Sequence, residues 1–206
     1  MTELSREQQI REHREALARL QADTGSEPDA AAWPPDGYYL LWHWLTGMVI
    51  GTIGASVSLL ANVIGAPVFG KPPLELIRVY LTFPMGERAL DAEPGILLTV
   101  GCLLYLTTGA IYGILFHLVM SAFFSEASTG RKLLVATVIG LGLWAVNFYA
   151  ILSWLQPLLL GDDWIVSMVP WWVGALTHIA FAWTMLAVGI GWGRFVPYDP
   201  PPETTS

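Results

Sequence analysis

Charge is what this sequence has least of. Only 13% of its 206 residues are Asp, Glu, Lys or Arg, against 54% hydrophobic ones, where soluble domains carry about 25% charge. That scarcity excludes an ordinary soluble fold. Cysteine occurs once, at Cys102, which excludes an intrachain disulfide and a cysteine-based metal cluster. There is no glycine loop for phosphate, no zinc spacing and no nucleophile with a plausible base, so the expectation is a protein that is not an enzyme and has no metal site. The formal charge of −7 describes loops and tails and offers nothing to nucleic acid.

What is present is apolar length. Four runs exceed the about 20 residues that cross a hydrocarbon core: 38–64, 95–124, 133–160 and 165–192. The predicted fold is an all-α integral membrane protein with a four-helix transmembrane domain over 38–192. Before it, residues 4–20 hold Glu7–Arg11 and Glu15–Arg19 at the spacing of an exposed helix, so 1–22 reads as an amphipathic cytoplasmic helix. Residues 23–37 read as a linker stiffened by Trp33-Pro34-Pro35, and 193–206 as a proline-rich tail. The start of the chain lacks the layout of a cleaved signal peptide. Between the first two spans, Pro72-Pro73 can open a short helix with Leu74, Ile77, Tyr80 and Leu81 on one face; it is expected to lie flat at the outer surface.

Lysine and arginine orient the chain. With the N-terminus inside, Arg6, Arg11, Arg14, Arg19, Arg131, Lys132 and Arg194 are cytoplasmic, against Lys71, Arg78 and Arg88 outside. Seven against three places both termini in the cytoplasm.

Within the spans, small residues mark where helix backbones can approach. Gly47 and Gly51 stand in the first span, Gly101, Gly109 and Gly113 in the second, and Gly174 in the fourth. These are candidate packing positions, within the chain or against partners. Reading the second span in fours gives Gly101, Tyr105, Gly109, Gly113, His117 and Ser121. Gly113→Leu is expected to disturb the contact this face makes.

Three histidines lie in spans, and an intramembrane ionisable group is a functional hypothesis by default. His43 and His117 are at similar depth near one end, as two axial ligands of one b-type heme would be. The competing reading makes His43, in Leu-Trp-His-Trp-Leu, an interfacial belt residue, and His117 a packing and hydrogen-bonding group. His178 and Asn147 are further polar intramembrane positions, each explicable by an interhelical hydrogen bond.

The segment PPLELIRVYLTFPMGERAL followed by GCLLYLTTGAIYGILFHLVMSAFF, about residues 70–125, resembles small, uncharacterised four-span bacterial membrane proteins associated with cytochrome c oxidase and related respiratory complexes. A looser echo lies in ALTHIAFAWTMLAVGIGWG. The resemblance carries no catalytic motif; it implies a bacterial inner-membrane setting beside redox subunits. Three readings are open. The first is an accessory, non-catalytic structural subunit of a respiratory or photosynthetic complex, with other integral membrane subunits and lipid as partners and no cofactor beyond bound lipid, quinone or pigment. The second is a b-type cytochrome using His43 and His117. The third is a small transporter or channel, whose path would draw on Asn62, Thr107, Thr108, Ser121, Asn147 and Thr177.

Overall fold

The structure, a computed structural model, describes residues 38–193 and 195, with positions 12, 14–16 and 19 near the start of the chain. The expected N-terminal helix, the linker and most of the tail lie outside the described residues; Glu12, Arg14, Glu15, Ala16 and Arg19 are helical and exposed. The chain divides into two units, 1–38 and 39–206, and the membrane-length stretches found among the described residues lie in the second.

Among the described residues the chain is helical and without strands. Helix α1 spans Tyr38–Gly65, α2 Glu75–Met85 and α3 Ile96–Phe124. Helix α4, Thr129–Ala145, runs into a π-helical segment Val146–Leu152 and then α5, Ser153–Leu160. Short α6, Trp164–Met168, precedes α7, Trp171–Gly191. Four stretches are long and apolar enough to cross a membrane: Leu40–Phe69, Ile96–Phe124, Thr129–Leu160 and Trp171–Gly191.

The third and fourth of these begin at other places than the expected runs, and the first ends at Phe69 rather than at residue 64. The third begins at Thr129, because Ser128 caps it by accepting from the Arg131 amide. The fourth is not continuous from Ile165: Pro170 forces the residue before it out of helical geometry, and Val169 is extended at φ −91, ψ 112. Apolar length does not reveal that break.

Glycine sets how closely α1 and α3 approach. The helices run antiparallel, and a Cβ on Gly47 would sit 2.6 Å from the Ile114 Cα, while one on Gly51 would sit 2.7 Å from the Gly113 Cα. Gly109 faces Ala55 in the same seam. These faces therefore pack within the chain, backbone on backbone, as small residues permit where lipid supplies no hydrophobic drive between helices. A second antiparallel pair is α4 with α7: Gly140 lies against the His178 carbonyl and Ala182, Gly174 lies against Trp144 and Phe148, and Trp183 Nε1 donates to Thr137 Oγ1 at 2.9 Å. Between the pairs, Ile50, Phe116, Met120, Phe181 and Met185 form the main apolar core.

Helix α2 departs furthest from expectation. It does not rest on a surface by one narrow face, since Ile77, Val79, Leu81 and Thr82 are all buried. Ile77 and Leu81 fill the notch left by Gly101 on α3. Val79, turned away from them, joins Phe148, Ile165 and Val169. Tyr80 reaches Thr108, with the hydroxyls 2.7 Å apart, and Thr108 lies 12 residues into α3, about 18 Å along it. An amphipathic stripe read from sequence cannot tell a lipid-facing side from a protein-facing one, which is why the protein contacts on both sides of α2 were not foreseen.

Candidate functional site

The α1–α3 seam continues, in steps of four, from its glycines to a pair of histidines. His43 is one turn before Gly47 and His117 one turn after Gly113, and both rings are buried. His43 Nδ1 and His117 Nε2 are 3.0 Å apart, an ordinary hydrogen bond between two imidazoles, and Ser121 Oγ lies 3.5 Å from the same His117 nitrogen. Trp42 meets both rings edge-on, at 5.0 and 5.9 Å between centroids, and Phe195 stacks on His117 at 5.6 Å. The glycines hold the backbones close, and the rings fill the space beyond them.

That geometry bears on metal binding. A metal held between two imidazole nitrogens at roughly 2 Å each needs them about 4 Å apart, so the pair as folded makes a hydrogen bond, and axial ligation by both rings requires them to separate. Among the described residues no three His, Cys, Asp or Glu side chains gather at metal-binding distance. His117→Leu is expected to cost about 1 to 3 kcal/mol by removing a buried hydrogen-bonding partner, whereas His117→Gln keeps a polar partner and most of the stability. Thermal unfolding of the two variants in detergent checks this, and equal melting temperatures would refute it.

At the other end of the seam, Ser58 Oγ lies 3.0 Å from the Tyr105 hydroxyl and donates to the Thr177 carbonyl at 3.2 Å. Beside this bond a cavity of about 460 Å³ opens, with Tyr80, Tyr105 and Tyr112 in its lining. Its walls come from α1, α2, α3, the π-helical segment, α6 and α7. They are chiefly aliphatic and aromatic, with Phe148 and Phe181 beside the tyrosines. Exposed Phe83, Pro84 and Leu104 lie at its rim.

No protein-family model, curated protein or solved structure matches this chain.

The π-helical segment contributes one polar group, Asn147, to the cavity wall. Wider turns of this kind are rare and recur at functional sites; here the segment brings Asn147, Phe148, Ile151 and Leu152 to the wall. Pro157 lies just beyond, lacking an amide and crowding the carbonyl four residues back. Side chains satisfy part of the disturbed backbone: Ser153 Oγ donates to the Tyr149 carbonyl and Trp154 Nε1 to the Ala150 carbonyl, each at 2.7 Å.

Asn147 Oδ1 accepts from the Tyr112 hydroxyl at 2.7 Å, which leaves its NH2 group as a donor with no acceptor among the described residues. His178 Nδ1 donates to the Gly174 carbonyl at 2.8 Å. That bond fixes the tautomer of the neutral ring and leaves Nε2 as an acceptor. Trp144 Nε1, fully buried, has no hydrogen-bond partner among the described residues and lies beside Gly174, where a Cβ would come within 2.8 Å of it.

The polar positions singled out in the sequence thus divide. His43 and His117 meet each other, while Asn147 and His178 line one cavity. Sequence reasoning missed the tyrosines as its lining and missed Gln156, which is buried between α2 and α6. A glutamine in an otherwise apolar span was the signal for the latter.

Proposed function

We propose that this chain is a non-catalytic, multi-pass membrane protein that holds a lipophilic molecule between its helices, as an accessory subunit of a bioenergetic membrane complex. The interhelical cavity carries the binding part of the reading: its volume lies in the range of small-molecule sites, and its walls are apolar with a few polar groups. Its place among membrane-length helices selects a ligand that arrives from the bilayer. The respiratory or photosynthetic setting rests on the sequence resemblance alone. The glycine seam is used up within the chain, so partner subunits would meet the outer helix faces.

The test is mass spectrometry of organic extracts from the purified protein, with Ile151→Trp as the cavity-filling variant. A lipophilic compound enriched in the wild type and depleted in the variant supports the reading, and equal extracts defeat it. A second reading, a b-type cytochrome, draws on the meeting of His43 and His117. A reduced-minus-oxidised optical spectrum of the purified chain decides it by the presence or absence of a heme Soret band.

The charge bias supports an orientation with both termini cytoplasmic, and the sequence resemblance supports a bacterial inner membrane as the setting. In a Cys102→Ala background, single cysteines at Lys71 and Asp163 should then be labelled by an impermeant maleimide from outside. Labelling of either from the cytoplasmic side alone would reverse the orientation.

A further inference from the structure

The cavity holds two polar groups that the fold orients and then leaves unspent. Asn147 is held by Tyr112, so its amide NH2 is available to donate. His178 is held by the Gly174 carbonyl, so its Nε2 is available to accept. Both residues line the same space. A polar group in an apolar wall costs free energy unless it finds a partner, and a pure hydrocarbon tail would supply none. The occupant that suits the wall is membrane-soluble and carries at least two oxygens. One oxygen accepts from Asn147, and another carries the hydrogen that His178 accepts.

The rest of the wall limits the shape. Tyr80, Tyr105, Tyr112, Phe148 and Phe181 surround the space, with Tyr80 and Tyr105 set edge to face at 5.6 Å. Aromatic walls favour a flat ring, by stacked or edge-on contacts. The exposed rim at Phe83, Pro84 and Leu104 gives an aliphatic tail a way out toward lipid.

We infer that the cavity is a site for the ring of an isoprenoid quinol, with one ring hydroxyl accepting from Asn147 Nδ2 and another donating to His178 Nε2. The inference rests on the proposed lipophile-binding function and narrows it to one class. The acceptor at His178 also sets a redox preference. A quinol hydroxyl can donate to it, whereas the corresponding quinone carbonyl cannot, so the reduced form binds more tightly. No electron transfer is part of the inference; the site holds the reduced ring.

The experiment is native mass spectrometry of the full chain released from detergent micelles. The protein is loaded with a short-tailed benzoquinol, its quinone, or dodecylbenzene, which has the ring and tail but no oxygen. The wild type should retain the quinol about tenfold better than the quinone, the value of one added hydrogen bond. His178→Leu should abolish that preference, and His178→Gln, whose side-chain carbonyl can still accept, should restore it and guard against a folding artefact. Asn147→Leu should weaken both redox forms.

Equal retention of dodecylbenzene and quinol, lost in Ile151→Trp, would overturn the quinol assignment while leaving the cavity a lipophile site. Retention of none of the three would overturn both. A quinol preference that persists in His178→Leu would show that the acceptor is another residue and refute the assigned contact.

Discussion

Gly113→Leu is expected to prevent the bundle from assembling, with little folded protein recovered in detergent and a loss of about 3 kcal/mol or more in any that is. Overpacking a well-filled interior costs about 1 to 3 kcal/mol where side chains can move aside, but at Gly113 the obstacles are main-chain atoms. An added Cβ would overlap the Gly51 Cα and the Gly47 carbonyl and lie 2.7 Å from the Gly51 nitrogen. Relief requires α1 and α3 to separate along the whole seam, which would loosen the His43–His117 bond at one end and the Ser58–Tyr105 bond at the other. Even Gly113→Ala should lower the melting temperature. The matched control is Gly142→Leu on α4, where a Cβ meets nothing within 4 Å and removing a helix glycine is mildly favourable. Equal melting of Gly113→Leu and Gly142→Leu would mean the α1–α3 seam is not closed as described.

The same seam shows what the sequence could and could not reveal. Four membrane-length helices were legible because spanning a hydrocarbon core imposes a length and a near-absence of charge, and both survive in composition. The glycine positions were legible as places of close approach, but their partners were not: spacing along one helix carries no information about which other helix comes near. The depth argument that put His43 and His117 at one level rests on alternating helices of known length, so their meeting was within reach. The hydrogen bond between them was not, because it depends on the crossing that the glycines allow.

The cavity was illegible for a different reason. Part of its wall lies on the π-helical segment Val146–Leu152, which brings in Asn147 through a change of register that hydropathy cannot show, and part lies on α2, which packs against α3 and α6. An apolar face looks the same in sequence whether lipid or protein covers it. Tyr105 could be assigned to a face of α3, yet its bond to Ser58 lies across two elements 47 residues apart.

Gln156→Leu is expected to lower the melting temperature by roughly 10 °C, corresponding to about 3 kcal/mol for a chain of this size. Gln156 is fully buried and joins three elements that sequence leaves separate. From α5 its Nε2 donates to Thr82 Oγ1 on α2 at 2.9 Å, and its Oε1 accepts from the Ile165 amide on α6 at 3.0 Å. Leucine matches much of the volume but leaves the Ile165 amide buried without an acceptor, which alone costs about 1 to 3 kcal/mol. Thr82, also fully buried, keeps its bond to the Val79 carbonyl but loses the glutamine donor. Because the two losses share one residue, Thr82→Val combined with Gln156→Leu should cost less than the sum of the single variants, by about 1 kcal/mol of coupling. Hydrogen exchange locates the effect: the Ile165 amide should lose protection in Gln156→Leu while amides in the α1–α3 seam keep theirs. Ile165 and Val79 both line the cavity, so loosening this tie frees α2 and α6 to move apart and should speed release of any lipophile held there. Unchanged exchange at Ile165 together with an unchanged melting temperature would show that α2 is held in the bundle by apolar contact alone.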